Sequence, residues 1–248
     1  MIKFFRKIRY DLMEKNKTGK YFKYAIGEIV LVVIGILIAL SINNWNERHQ
    51  EKREELKQLK ALKLEFEKNA VILDSITKLH NENEDATLRL INATNNYTIK
   101  EFDSLYLKAV YNYNFDPSKG IYNSLINSGN IELISNETLK YKLAEIQDIV
   151  TDYIDDENNV RKYCFNELFP FVVNQMPYNP FRFYQNRDTI EKELHHSYSL
   201  EMINNRIFIE HLTMLRAFRI GVFNEGKTVR NEYKKIIDLI NQEITKME

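Results

Sequence analysis

The side chains able to do chemistry in this 248-residue chain are few. The histidines are His49, His80, His195, His196 and His211. Zinc hydrolases place two histidines one helical turn apart, as in H-E-x-x-H, so that both imidazoles reach one ion. No pair here has that spacing, and the adjacent His195 and His196 would leave a helix on different sides. His211 falls on an apolar stripe, where a hydrogen-bonded core histidine is expected rather than a ligand. Cys164 is the single cysteine, which excludes an internal disulfide framework and a multi-cysteine metal site. It sits on a heptad seam and reads as a small core residue. Asp152, Asp155, Asp156 and Glu157 cluster without the loop geometry of a calcium site, and read mostly as the solvated face of a helix. Ser128-Gly129 lacks the G-x-S-x-G elbow, and no glycine-rich phosphate loop occurs. The expectation is a protein that is not an enzyme, with no catalytic residue, cofactor or metal.

One carboxylate is set apart by its surroundings. Glu28 lies inside Tyr24–Ile42, YAIGEIVLVVIGILIALSI, which is otherwise apolar except for Ser41. An ionisable group in a membrane span is costly, which makes it a functional candidate. Glu28 stands four residues, or about 6 Å, from Tyr24. Two readings are open. Glu28 snorkels to the interface or pairs with Lys20 or Lys23; or it serves a proton- or ion-coupled partner subunit. Gly27, Leu31, Gly35 and Ala39 recur at every fourth position. Gly27, Gly35 and Ala39 form a helix-packing stripe that lets another helix approach closely, in a homo-oligomer or with another envelope protein.

The elements that position these residues begin with the span itself. Residues 1–23 carry eight basic and two acidic side chains, whereas 43–248 carry 27 basic and 32 acidic. The 35 Lys+Arg and 35 Asp+Glu of the whole chain therefore balance only in sum, and no basic excess suggests nucleic acid as a partner. Basic residues before an apolar stretch predict a cytosolic N-terminus. Tyr21, Phe22 and Tyr24 on one side and Trp45 on the other occupy the places of aromatic belts. Ala39-Leu40-Ser41 resembles a signal-peptidase site, but a 23-residue basic region containing acids, followed by Glu28, favours an uncleaved anchor. The expected layout is a basic cytosolic tail 1–23, a transmembrane helix 24–45 in the lipid bilayer, and a periplasmic helical domain 46–248.

Beyond the span, Leu56, Leu59, Leu62, Phe66, Ala70, Leu73 and Ile76 recur at helical spacing and predict one helix over Asn43–His80. Asn81–Asp85 predicts a turn and Ala86–Asn95 a short helix. Thr98 and Glu101 form a capping box opening a helix to about Tyr111. Asn112–Lys119 reads as a loop, Gly120–Ser128 as a helix stopped by Gly129, and Asn136 (or Ser135) as the next cap. Leu139, Leu143, Ile146, Val150, Tyr153, Glu157, Val160 and Cys164 step 4-3-4-3-4-3-4, a heptad seam with one polar member. That helix should reach about Phe169. Pro170, Pro177 and Pro180 then predict a non-helical, aromatic crossover over 169–184. A short helix is expected at Thr189–His195. Ser199 should cap a last segment, Leu200–Met247, with Ile203, Ile207, His211, Met214, Phe218, Val229, Tyr233, Ile236, Ile240 and Ile244 inward and a bend at Gly221 or Gly226. No segment alternates with period two for long enough to read as a strand. The fold class is all-α: one N-terminal transmembrane helix continuing into an extracytoplasmic antiparallel helical bundle.

The segments MIKFFRKIR, YAIGEIVLVVIGILIALSINNWNE (Tyr24–Glu47) and FDPSKGIYNSLINSGNIELISNETLKYKL (Phe115–Leu143) resemble a family of single-span proteins of unknown function common in Bacteroidota. The likeness covers the N-terminal half; the last 80 or so residues match in helical character alone. It implies a Gram-negative inner-membrane protein and brings no activity, substrate or catalytic residue.

Two functions from different classes follow. The first is a membrane-anchored periplasmic helical protein that binds or scaffolds other envelope components, with the crossover 169–184 as one candidate surface. The second is an ion-coupled or signalling accessory subunit using Glu28. A periplasmic enzyme working in the aromatic crossover is a third and weaker reading.

Overall fold

A computed structural model describes residues 10, 18–94, 97–175 and 201–248. Helix α1 is Thr18–Ile91, α2 is Ile99–Val110, α3 is Gly120–Asn127 and α4 is Glu137–Tyr163. A five-residue π-helical turn, Cys164–Leu168, leads into α5, Phe169–Gln175; α6 is Arg206–Met247. Among the described residues there is no strand. The chain divides into two compact units, Met1–Leu56 and Lys57–Glu248.

Local chemistry sets most of the boundaries in the second unit. Thr98 and Glu101 close a reciprocal capping box at the start of α2. Gly129, at φ 75°, takes the left-handed conformation that turns the chain after α3. A 3₁₀ turn, Asn130–Leu133, follows it, and the Asn136 side chain accepts from the Leu139 amide at 3.0 Å to start α4. Each of these stands where the sequence places it.

The core of this unit is built on three heptad seams. All eight expected α4 positions, Leu139 to Cys164, are buried. Helix α6 buries Phe208, Leu212, Leu215, Arg219, Val222, Gly226, Val229, Tyr233, Ile236, Ile240 and Glu243, an unbroken alternation of fours and threes. On α1 the same alternation runs through Leu59, Leu62, Phe66, Asn69 and Leu73, past half-buried Ile76, to His80, Asn83, Thr87 and Leu90. Cross-contacts fix the directions. Asn136 bonds Glu243 and Tyr163 bonds His211, so α6 runs antiparallel to α4. Lys60 pairs with Glu248 and Arg216 with Glu84, so α6 also runs antiparallel to the Lys57–Ile91 part of α1.

Five expectations need correction. The turn at Asn81–Asp85 is absent and α1 runs on to Ile91, because Asn83 and Thr87 face inward to polar partners. Pro170 lies inside helical structure. The π turn before it, in which the Phe169 amide bonds the Cys164 carbonyl, resets the register so that the proline falls in the first turn of α5. Asn205, not Ser199, caps α6, accepting from the Ile207 and Phe208 amides at 2.9 and 3.2 Å. The first half of the α6 stripe is shifted by one residue: Ile207 and Met214 are 58% and 49% exposed, while Phe208 and Leu215 are buried. The true seam passes through Arg219, which an apolar pattern skips.

Gly221 and Gly226 do not bend α6, which is continuous through both. A Cβ at Gly226 would lie 3.1 Å from the Tyr153 ring, so this glycine lets α4 and α6 approach. The expected crossover residues 176–184, the helix at Thr189–His195, and His195 and His196 lie outside the described residues.

Candidate functional site

Most polar members of the three seams gather at the end of α2 and the strap that joins it to α3; Glu243, which accepts from Asn136, lies apart. The strap leaves α2 with exposed carbonyls that need donors. Arg219 Nη2 donates to the Ala109 carbonyl, Asn112 Nδ2 to Val110 at 3.1 Å, and Asn83 Nδ2 to Tyr111 at 2.7 Å. Further along, the Phe115 amide donates to Glu157 Oε2 at 2.7 Å. Asn69 clamps Ser118 from both sides, accepting from its amide at 2.8 Å and donating to its carbonyl at 2.7 Å. Glu65 then caps α3 from outside that helix, accepting from the Ile121 and Tyr122 amides at 2.8 and 2.9 Å. A carboxylate here satisfies amides that no residue of α3 itself reaches, and meets the positive end of its dipole.

The strap's apolar side completes the seal. Phe115 is buried, with the Tyr153 and Tyr233 rings 5.9 and 6.3 Å away. The Tyr122 hydroxyl donates to the Leu143 carbonyl at 2.9 Å, tying α3 to α4.

Two buried ionisable centres hold this arrangement. Glu157, the single polar residue of the α4 seam, also meets His80 Nε2 at 2.9 Å, and both side chains are almost wholly buried. Burial, followed by the nearby Glu157 charge, pushes the Tyr153 phenol far above its usual range. Arg219 is 1% exposed, and its other guanidinium nitrogen reaches Thr87 Oγ1 at 2.6 Å and the Asn83 carbonyl at 3.3 Å. These acceptors, like Ala109, are neutral. The cation is stabilised at the negative end of the α2 dipole, but burial still pushes its pKa down to about 10. Burial likewise pushes the Cys164 thiol up, against the opposing influence of Arg219 and Asn112. Cys164 is therefore a core thiol beside an arginine. His211 meets Tyr163 and packs 4.8 Å from Phe171, as a hydrogen-bonded aromatic-shell residue.

The His80–Glu157 pair has the composition of a general base, but the strap covers it, and its hydrogen bonds go to the chain's own backbone and rings. Sequence reasoning missed Glu65, Asn69, Asn83, Thr87 and Arg219. A register signal was present for Asn69, Asn83, Thr87 and Arg219, which occupy steps of the heptad seams; Glu65 lies one residue off the α1 seam and carries none.

Open space lies elsewhere on the second unit. A groove of about 570 Å³ runs between α1 and α2, with Ala86 and Leu105 among charged lining residues. Among the described residues, no group of three or more His, Cys, Asp or Glu is disposed to hold a metal ion.

In the first unit, Glu28 is half-buried on α1, and Ala39 is exposed. A Cβ placed on Gly27 or Gly35 meets nothing within 4 Å, so the small-residue stripe is open along those positions. The stretch holding these residues has a mean hydropathy of 2.8 and is the one described helix long and apolar enough to cross a membrane.

The family of unknown function DUF6090 matches residues 28–163. The chain is a DUF6090 protein. The match takes in most of the apolar helix, the whole strap and α4, and ends where the π turn begins. Helix α6, and Arg219 with it, lie outside the matched stretch. No curated protein and no solved structure matches the chain.

Proposed function

We propose that this DUF6090 protein is a membrane-anchored, non-enzymatic binding or scaffold protein. In this reading, residues 24–45 span the inner membrane of a Gram-negative bacterium, the N-terminus is cytosolic and the helical domain is periplasmic. The observation that carries the anchor is the surface of α1. From Ile26 to Ile42 its large aliphatic side chains are 46–63% exposed on every side of the helix. A helix apolar all round belongs in a protein core or in lipid, and among the described residues none of this stretch is buried. The binding role is supported by what the second unit does with its reactive groups: His80, Glu157, Cys164 and Arg219 are consumed internally, and the surface offers a charged groove.

The test is fractionation of cells carrying the full chain with a C-terminal tag. The expected result is retention in membranes after alkaline carbonate washing, tag digestion only once the outer membrane is opened, and native co-purification with a defined envelope complex. Release by carbonate would sink the anchor. Catalytic turnover by the purified full chain would sink the non-enzymatic reading.

A second reading rests on Glu28, the one ionisable residue of Ala25–Ile42. As an ion-coupled accessory subunit, the protein would lose function on Glu28→Gln while still inserting and folding. Under the scaffold reading the same variant retains its partner complex.

A further inference from the structure

The second unit carries a groove of mixed charge with a small basic excess and, elsewhere, a helix face that is wholly acidic. The first is the 570 Å³ groove between α1 and α2. Its basic residues are Lys78, Arg89, Lys100 and Lys108, all exposed, and its carboxylates are Glu82, Asp85 and Glu101. Glu101 is occupied: it accepts from the Thr98 amide and hydroxyl at 2.8 and 2.7 Å. On α1 the charges alternate one turn apart, Lys78 with Glu82 and Asp85 with Arg89, so that row balances itself. On α2 Lys100 and Lys108 outnumber Glu101, so the groove as a whole carries one net positive charge. The two lysines stand eight residues apart, or about 12 Å along the helix.

The second surface is the outer face of α4. From Leu143 to Val160 the helix has six carboxylates and no basic residue. Glu157 is spent on the strap; Asp148, Asp152 and Asp155 are exposed, with Glu145 and Asp156 half-buried beside them. Asp148 and Asp155 are seven residues apart, or about 10 Å, close to the Lys100–Lys108 spacing.

We infer that this groove receives the acidic α4 face of a second copy of the chain. The contact is electrostatic, with Lys100 and Lys108 set against the Asp148–Asp155 row, and the shallow floor at Ala86 and Leu105 leaves room for a helix ridge. Contacts of this kind are steered by charge and weaken with salt. They do not depend on the membrane helix, so the inference stands or falls apart from the anchor and from any foreign partner.

The experiment is native mass measurement of the purified full chain in detergent micelles, at low and high salt. Self-association is expected at about 50 mM salt and its loss at about 0.5 M, where the screening length falls to about 4 Å. Lys100→Glu/Lys108→Glu and, separately, Asp152→Lys/Asp155→Lys should each remain monomeric. Mixing the two variants should restore a mixed assembly, because each reversed surface then meets a reversed partner. All four positions are exposed, and an unchanged melting temperature for each variant verifies the fold. A monomer at every salt concentration, an assembly indifferent to salt and to both double variants, or failure of the mixture to reassociate would each overturn the inference. An indifferent assembly would place the interface elsewhere, with the Gly27–Gly35–Ala39 stripe next to be tested.

Discussion

Replacing Glu157 by leucine tests whether the strap is held by the buried polar seam. The Glu157 side chain is fully buried and receives the Phe115 amide at 2.7 Å and His80 Nε2 at 2.9 Å, with the Tyr153 hydroxyl as a third neighbour. Leucine leaves these groups without their acceptor, and an orphaned buried donor costs about 1–3 kcal/mol. Three such losses sum to roughly 3–9 kcal/mol. Against this, the variant no longer desolvates a carboxylate and gains apolar burial of about 1.5–3 kcal/mol. A net loss of about 3 kcal/mol is a reasonable centre, which in a domain of this size lowers Tm by roughly 6–12 °C. Glu157→Gln keeps one acceptor for the Phe115 amide and should lose less than half as much. The assay is thermal unfolding of the full chain in micelles, together with hydrogen exchange at the Phe115 amide. The leucine variant should lose protection there first, while α4 amides away from the strap keep theirs. A leucine variant as stable as the parent would refute the argument. It would mean that the desolvation cost of the carboxylate outweighs its three bonds, as happens with some buried ion pairs.

Other outcomes follow from single contacts. Gly226→Ala should destabilise despite the better helix propensity of alanine, because its Cβ would press on the Tyr153 ring at 3.1 Å; Gly221→Ala meets only the movable Asp156 carboxylate and should stabilise by about 0.5–1 kcal/mol. Paired melting curves separate the two, and equal shifts would contradict the close-approach reading. Burial holds the Tyr153 and Tyr233 phenols far above their usual range. The unfolded chain gives up those protons near pH 10 while the folded chain keeps them, so stability should fall as pH rises above about 10, and Tyr233→Phe should flatten that fall. On the acid side, hydrogen bonds from Lys142 and Lys235 hold the Glu232 carboxyl below its usual range. Its contribution is present above the unfolded value of about 4.3 and is lost as pH falls through the lower folded value, so Lys142→Met should shrink the stability difference between pH 5 and pH 3. An unchanged acid slope would show that the Lys142 contact contributes nothing in solution.

The sequence by itself determined the elements whose signals are local. The Thr98–Glu101 box, the left-handed Gly129 and the Asn136 cap each act within a few residues, and each stands in the structure where its chemistry requires. The α4 seam was legible because seven of its eight members are hydrophobic, and the all-α class followed from the same periodicity. Tertiary structure alone decided the rest. Asn83, Thr87 and Arg219 read as polar interruptions, and Asn83 lies in the polar run that suggested a turn that does not exist, because their partners lie elsewhere in the chain. Arg219 reaches back 110 residues to Ala109, and Glu65 reaches forward 57 residues to Tyr122. A heptad pattern announces an inward position through hydrophobicity. Where the inward residue is Arg219, Glu157 or Glu65, its reason is a backbone carbonyl or amide on another element, and that group comes within reach only when the helices pack.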